Sequence, residues 1–325
     1  MTNSRNDFDP KTYSPTFQWR FISPKNWAAW IFVFAALPIA LLPNKLRCSI
    51  ARLVANIMLN KANGASQRAW VNLTLCFPEK NEQQKRDLIR DGFTAAGSYL
   101  LGFASLTLRS KKWLVDNSII NGLENLTEHT KKGENVILLV PHTWTIDIPA
   151  ILLASKGLPV VGFVKQQKSE IHDWLMHKQR IQYGGRIYER QSGIKPFVRS
   201  IKQGYLGYYL PDQDHGRENS VFVDFFATTK ATLPGLGKIA KISKAKVIPI
   251  FSAYNIETGK FEIDIYPELE DFPTGSEEGD ARATNAYIES VVKQKPEQYM
   301  WNLSLLRTQQ DHTNPYKSDI KLERK

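Results

Sequence analysis

The chain has 325 residues, 42% of them hydrophobic, which is enough for a sizeable core and excludes global disorder. A formal net charge of +11 favours anionic partners: nucleic acid, acidic lipid headgroups or an acidic carrier protein. The basic residues are scattered and no zinc-finger, basic-zipper or RNA-recognition signature occurs, which argues against nucleic acid, while two cysteines, Cys48 and Cys76, supply neither a disulfide framework nor a metal quartet.

Residues 1–25 form a polar N-terminal tail. The stretch NWAAWIFVFAALPIALLPN, residues 26–44, then carries no charge. Lys25 and Lys45 bracket it, and Trp27 and Trp30 sit at one end like interfacial anchors. It is close to the roughly 20 apolar residues that a bilayer span requires. We read it as a membrane anchor helix, with a buried core helix as the alternative. Whether it spans or lies in the bilayer is left open, since Pro38 would bend it and the flanking charges are balanced.

Residues 45–118 read as a helical, membrane-proximal region. LRCSIARLVANIML (46–59) has apolar residues at helical spacing with basic residues between, which fits a surface helix on a membrane or the first helix of the core. A long helix follows over 81–106, with Asn81 as its cap.

Residues 119–308 alternate strands with helices. NVILLV (135–140), LPVVGFV (158–164), GYLGYYL (204–210), KVIPIFSAY (246–254) and KFEIDIYP (260–267) are β-rich. Helical patterns lie between, near 148–156, 169–183, 195–203 and 233–243, and two more come late, near 280–294 and 297–306. Continuous apolar strands separated by helices predict an α/β domain with a mostly parallel central sheet covered by helices. KFEIDIYP alternates, and reads as an antiparallel edge strand. The tail, 309–325, is charged and loose.

One motif stands out. In VPHTWTIDIPA, His142 leaves a buried strand and Asp147 falls at the start of the next helix. Ligands of open α/β sheets bind at such strand ends. A carboxylate on one ring nitrogen would fix His142 as a general base; the bland reading makes Asp147 a helix cap and His142 a satisfied core residue. The spacing itself decides nothing, since His129 and Glu134 share it in the polar run TEHTKKGEN, which reads as solvated surface. G-x-S-x-G is absent, so direct attack by an acceptor hydroxyl is expected rather than a covalent acyl-enzyme.

Other strand-end residues add to the site. YGGRIYERQSGIKP places Arg186, Arg190 and Lys195 around paired glycines, where arginine forks could meet phosphates, or where a hairpin simply carries surface charge. YYLPDQDHG sets Asp212 and Asp214 past an apolar strand; two such aspartates more often shape a turn than hold a metal. VDFFATTKATLPGLGK (223–238) lines an acyl-chain slot or is ordinary core.

VPHTWTIDIPA resembles the H-x4-D block of the lysophospholipid acyltransferase superfamily. NLTLCFPE, YGGRIYERQSGIKPF, GYLGYYLPDQDHG, VDFFATTKATLP and KPEQYMWNL resemble the bacterial lipid A late (secondary) acyltransferases, and their myristoyl-adding branch more than the lauroyl-adding one. The likeness extends from the anchor to about Arg307. It implies transfer of a fatty acyl group from acyl carrier protein to a hydroxyl on a hydroxyacyl chain of a Kdo(2)-lipid A precursor, at the cytoplasmic face of the bacterial inner membrane. It also implies His142 as general base with Asp147 as its partner, and Arg190 as the second-block arginine. Asp212, Asp214 and Gly216 stand where most relatives carry Pro-Glu-Gly. No metal and no cofactor are implied. A lauroyl-type lipid A acyltransferase, a glycerolipid acyltransferase and a non-catalytic membrane lipid-binding protein are the alternatives.

Overall fold

The computed structural model describes residues 9–62 and 64–324; the first eight residues of the polar tail lie outside the described residues. The N-terminal third is helical: α1 (Trp27–Ala40), α2 (Asn44–Asn60), α3 (Gly64–Cys76), α4 (Glu82–Gly102), and the short α5 (Ser105–Leu108) and α6 (Lys111–Asp116). α4 begins with a capping box, in which the Asn81 side chain accepts from Gln84 N–H and the Gln84 side chain accepts from Asn81 N–H, both at 2.9 Å. α2 is two-faced. Ala51, Ala55 and Leu59 are buried, and Ala51 packs so close to α4 that a Cβ on Gly97 would lie 2.9 Å from its Cβ. Leu46, Ile50, Leu53, Val54 and Ile57 point outward, at helical spacing. On α1, Trp27, Ile31, Phe32 and Phe34 are exposed as well.

Among the described residues no helix is long and apolar enough to cross a membrane. The expected anchor is a 14-residue apolar helix. The chain turns after Ala40, and Pro43, with its fixed φ, caps the start of α2.

The rest is β1 (Ser118–Asn121), α7 (Leu123–Lys131), β2 (Asn135–Leu139), α8 (Ile148–Ser155), β3 (Val160–Val164), α9 (Glu170–Arg180), β4 (Arg186–Glu189), α10 (Ile194–Lys202), β5 (Leu206–Tyr209), a β6 (Val221–Phe225) and β7 (Thr228–Thr232) hairpin, α11 (Gly235–Ser243), β8 (Ala245–Tyr254), β9 (Phe261–Ile265) and α12 (Glu277–Val292). Seven strands form one sheet in the order β1-β9-β8-β2-β5-β3-β4. The five from β8 to β4 are mutually parallel, and β9 is antiparallel to β8. β2 shows why. Ile137 and Leu139 belong to one core layer, and Val136, Leu138 and Val140 to the other. With a side-chain period of two, an unbroken apolar run is stable only in a strand covered on both faces.

Three sequence expectations change. β9 is antiparallel but is not the edge, since β1 pairs outside it; four half-exposed residues, SIIN, were too short to signal a strand. No helix forms over 297–306 beyond a single 3-10 turn at Pro296–Gln298. There the Asn72 side-chain amide, from α3, donates to the carbonyls of Trp301 at 2.6 Å and Leu303 at 2.8 Å, which a helix would have used itself. The end of the charged tail is also held: Leu322 is buried, and Gln67 bonds to Ile320 and Leu322 backbone.

Residues 9–22 strap the far edge of the sheet. Asp9 accepts from the Tyr188 hydroxyl at 2.9 Å and Arg199 at 3.0 Å, and Tyr13 N–H donates to Ile187 of β4 at 2.7 Å, covering an otherwise open edge. The Tyr13 hydroxyl meets Asp173, and its ring meets His177 edge-on at 5.8 Å. His177 is buried with neither ring nitrogen hydrogen-bonded, and burial pushes its pKa down to about 4. The folded state therefore binds the His177 proton less readily than the unfolded state. The stability this lends is complete above the ordinary histidine value of 6.5 and is lost as pH falls toward 4. His177→Phe should flatten that loss, because both nitrogens are unpaired and an aromatic ring is retained. Urea midpoints at pH 7 and pH 4.5 would check this. An equal acid loss in wild type and variant would count against it.

Candidate active site

The site is set by register. β2 and β5 are adjacent and parallel, with Leu139 opposite Tyr209. Each leaves the sheet through the same pattern: Val140-Pro141-His142 from β2 and Leu210-Pro211-Asp212 from β5. His142 and Asp212 are each three residues past the paired position, so they arrive side by side at the carboxyl edge of the sheet. Asp212 then accepts twice, from the His142 backbone N–H at 2.7 Å and from ring Nδ1. Asp212 is fully buried. Burial pushes its pKa up, but the neighbouring His142 and its hydrogen bonds outweigh this and hold the carboxyl below its ordinary value.

The other ring nitrogen is defined by Gln213. Arg190 Nη2 donates to Gln213 Oε1 at 2.8 Å, which fixes the amide orientation and turns its Nε2 toward His142 Nε2, at 3.1 Å. An amide NH2 can only donate. The neutral ring therefore carries its proton on Nδ1, facing Asp212, and presents a lone pair on Nε2, the tautomer a general base requires.

The expected hydrogen bond between His142 and Asp147 does not form. Asp147 starts α8 without capping it, and its carboxylate is taken by Arg180 of α9, Nε at 2.9 Å and Nη2 at 3.1 Å. The connection from His142 to α8 turns Asp147 toward Arg180 of α9. The helix-cap alternative fails with it. Arg190 lies at the site as expected. Arg186 does not: it is buried, bonded to Ser200 at 3.0 Å and to Gln203, and stacked 4.3 Å over the Tyr205 ring. Lys195 is exposed in the first turn of α10. Asp214 faces away from His142 and clamps Thr308, accepting from its N–H at 2.6 Å and its hydroxyl at 2.9 Å. His129 and Glu134 pair with each other at 2.6 Å, away from this edge.

The segment around 297–300 braces the histidine from behind. Met300 N–H donates to His142 C=O at 2.9 Å, Trp144 N–H to Gln298 C=O at 3.2 Å, and the Trp144 indole to Glu297 C=O at 2.9 Å. Gly92 of α4 allows this approach, since a Cβ there would be 2.9 Å from Glu297 O. Lys230 on β7, absent from the sequence expectations, is fully buried beneath the site, its ammonium 5.5 Å from the Phe225 ring. Burial lowers its pKa while Asp212 and Asp214 pull it back up. Its position inside VDFFATTKATLP, a run read as slot or core, hid it. Among the described residues no three His, Cys, Asp or Glu side chains are grouped as metal ligands.

A histidine at a strand end, held by a buried carboxylate, suits proton removal from a hydroxyl. Residues 14–308 match the family model for bacterial lipid A biosynthesis acyltransferases, and the chain belongs to that family. Its class of activity is acyl transfer in lipid A biosynthesis. It is 43% identical to a lipid A biosynthesis acyltransferase of Haemophilus influenzae, covering 94% of this chain and 95% of that one. To the lipid A biosynthesis myristoyltransferase of Escherichia coli K12 it is 39% identical over the same shares, and to the lauroyltransferase of that organism 24%, covering 89% and 94%.

Lys230→Met should remove the buried cation that Asp212 and Asp214 act on. The expected loss is about 1–3 kcal/mol in chemical denaturation at neutral pH. A variant as stable as wild type would show that the ammonium does not compensate them.

Proposed function

We propose that the chain transfers a fatty acyl group, myristoyl by its closer likeness to the myristoyltransferase, from acyl carrier protein to a hydroxyl on a hydroxyacyl chain of Kdo(2)-(lauroyl)-lipid IVA. The observation that carries this reading is the His142 ring held at the carboxyl edge of the sheet between the Asp212 carboxylate at Nδ1 and the Gln213 amide at Nε2. Gln213 swings aside to admit the acceptor. His142 Nε2 takes the proton of the acceptor hydroxyl as its oxygen attacks the thioester carbon. The oxyanion is met by backbone N–H groups at the start of α8, near Ile146 and Asp147. Collapse of the tetrahedral intermediate breaks the carbon–sulfur bond, and the departing thiolate takes the proton back from His142. The thioester carries its own activation, so no cofactor enters. Asp212 positions the base, and the Asp147–Arg180 pair fixes the loop that presents the oxyanion donors.

The exposed apolar faces of α1 and α2, with Lys45 and Arg52 among them, support seating on a membrane, where the lipid acceptor resides. We place the enzyme at the bacterial inner membrane with the α/β core in the cytoplasm, where the acidic carrier protein meets a chain of net charge +11.

Purified enzyme given acyl carrier protein thioester and under-acylated lipid A should form a product one acyl chain heavier by mass spectrometry. His142→Ala and Asp212→Asn should each lower turnover by ~10²–10⁴-fold with little change in acceptor KM. Asp147→Asn should cost less than Asp212→Asn, and His129→Ala should be nearly silent. Near-normal turnover in His142→Ala would defeat the mechanism.

A further inference from the structure

A basic pocket lies at the same edge of the sheet. A cavity of about 240 Å³ opens between the α1–α2 turn, the α5–α6 turn and the hairpin joining β8 to β9; Arg47, Arg109 and Trp113 line it. It shares the carboxyl edge with His142, because β8 runs parallel to β2 and its Ser252 hydroxyl bonds to Thr143 at 2.7 Å and Thr145 at 3.1 Å, two residues before Tyr254.

Arg47 is held in place but left unsatisfied. Its guanidinium lies over Gly102 of α4, where a Cβ would fall 1.6 Å from Nη1. Among the described residues its guanidinium makes one hydrogen bond, a long one, 3.4 Å to the Tyr254 hydroxyl, which itself donates to Asn44 Oδ1 at 2.8 Å. Arg47 Nε is buried with no acceptor. Among the described residues no carboxylate pairs with Arg47 or with Arg109, which is exposed. A fixed guanidinium with unused donors and a second beside it match a phosphate, which accepts through several oxygens at once. The lining also carries apolar residues, Ala40, Leu41, Leu42 and Pro43, of which Leu41 is exposed. The larger hollow, about 400 Å³, is lined by Glu268, Glu270 and Asp271 and does not offer this chemistry.

We infer that the Arg47–Arg109 pocket binds a phosphate group carried on a lipid headgroup, seating the acceptor's phosphorylated end while an acyl chain reaches His142. The acceptor role rests on the acyl-transfer reading; binding of a lipid phosphate does not. The test therefore uses binding. Full-length protein would be floated with phosphatidylcholine vesicles, with or without phosphatidic acid. Phosphatidic acid should strengthen binding of wild type, and the Arg47→Met, Arg109→Gln double variant should lose that gain by about tenfold or more. Lys112→Met removes a nearby exposed charge outside the cavity and should keep most of it. Circular dichroism would confirm that the variants are folded. Inorganic phosphate, followed by Trp113 fluorescence, should bind wild type far more weakly than the lipid does.

Equal loss in Lys112→Met would reduce the effect to general surface charge and overturn the pocket. Saturable binding of inorganic phosphate with no phosphatidic acid dependence would overturn the lipid assignment. Failure of acyl transfer in the turnover assay would leave the binding result standing, so the two readings fail separately.

Discussion

Everything at this site depends on two parallel strands ending in step. β2 and β5 are neighbours in the sheet, although β3 and β4 lie between them in sequence. Their shared exit, an apolar residue, a proline and then a polar side chain, brings His142 and Asp212 to the same height. Proline fixes φ and removes a donor, so each strand stops pairing at a defined residue and the next side chain turns to the open edge. The carboxylate of Asp212 is deprived of water and uses both oxygens on one residue, His142. A buried charge of this kind is tolerated only when paired and hydrogen-bonded, so the fold has one stable arrangement for the pair.

Around it, further charges are placed with the same economy. Arg180 takes Asp147 bidentately, Lys230 lies within the field of Asp212 and Asp214, and Asp214 ties Thr308 to the site loop. Each contact joins the sheet edge to a different element: α9, the β6–β7 hairpin and the C-terminal segment. The helical N-terminal third braces this edge through α4, where Gly92 lets the backbone of 297 come close, and leaves apolar faces of α1 and α2 outward. His142 stands at this edge with its Nε2 under the Gln213 amide.

Much of this was legible in sequence. Unbroken apolar runs gave the parallel strands, the strand-end rule gave His142, and the apolar run before Pro211 placed Asp212 at another strand end. The pairing was not legible, because a single sequence shows where strands end but not which strands are neighbours. The nearer carboxylate in sequence, Asp147, therefore drew the partner role, although its loop turns it toward Arg180. The matching exits of VPH and LPD were the available signal. Side chains that act over long sequence separations were equally hidden: Asn72 dissolving an expected helix, Lys230 inside an apolar run, and Gln213 orienting the ring from a loop that looked like a turn.

The most direct test is the protonation pattern of the His142 ring, read by ¹⁵N NMR of selectively labelled protein under conditions where the ring is neutral. A proton on Nδ1 and a bare Nε2, with the Nδ1 signal altered by Asp212→Asn and unmoved by Asp147→Asn, is the predicted result. A proton on Nε2, or a ring that responds to Asp147→Asn and not to Asp212→Asn, would contradict it.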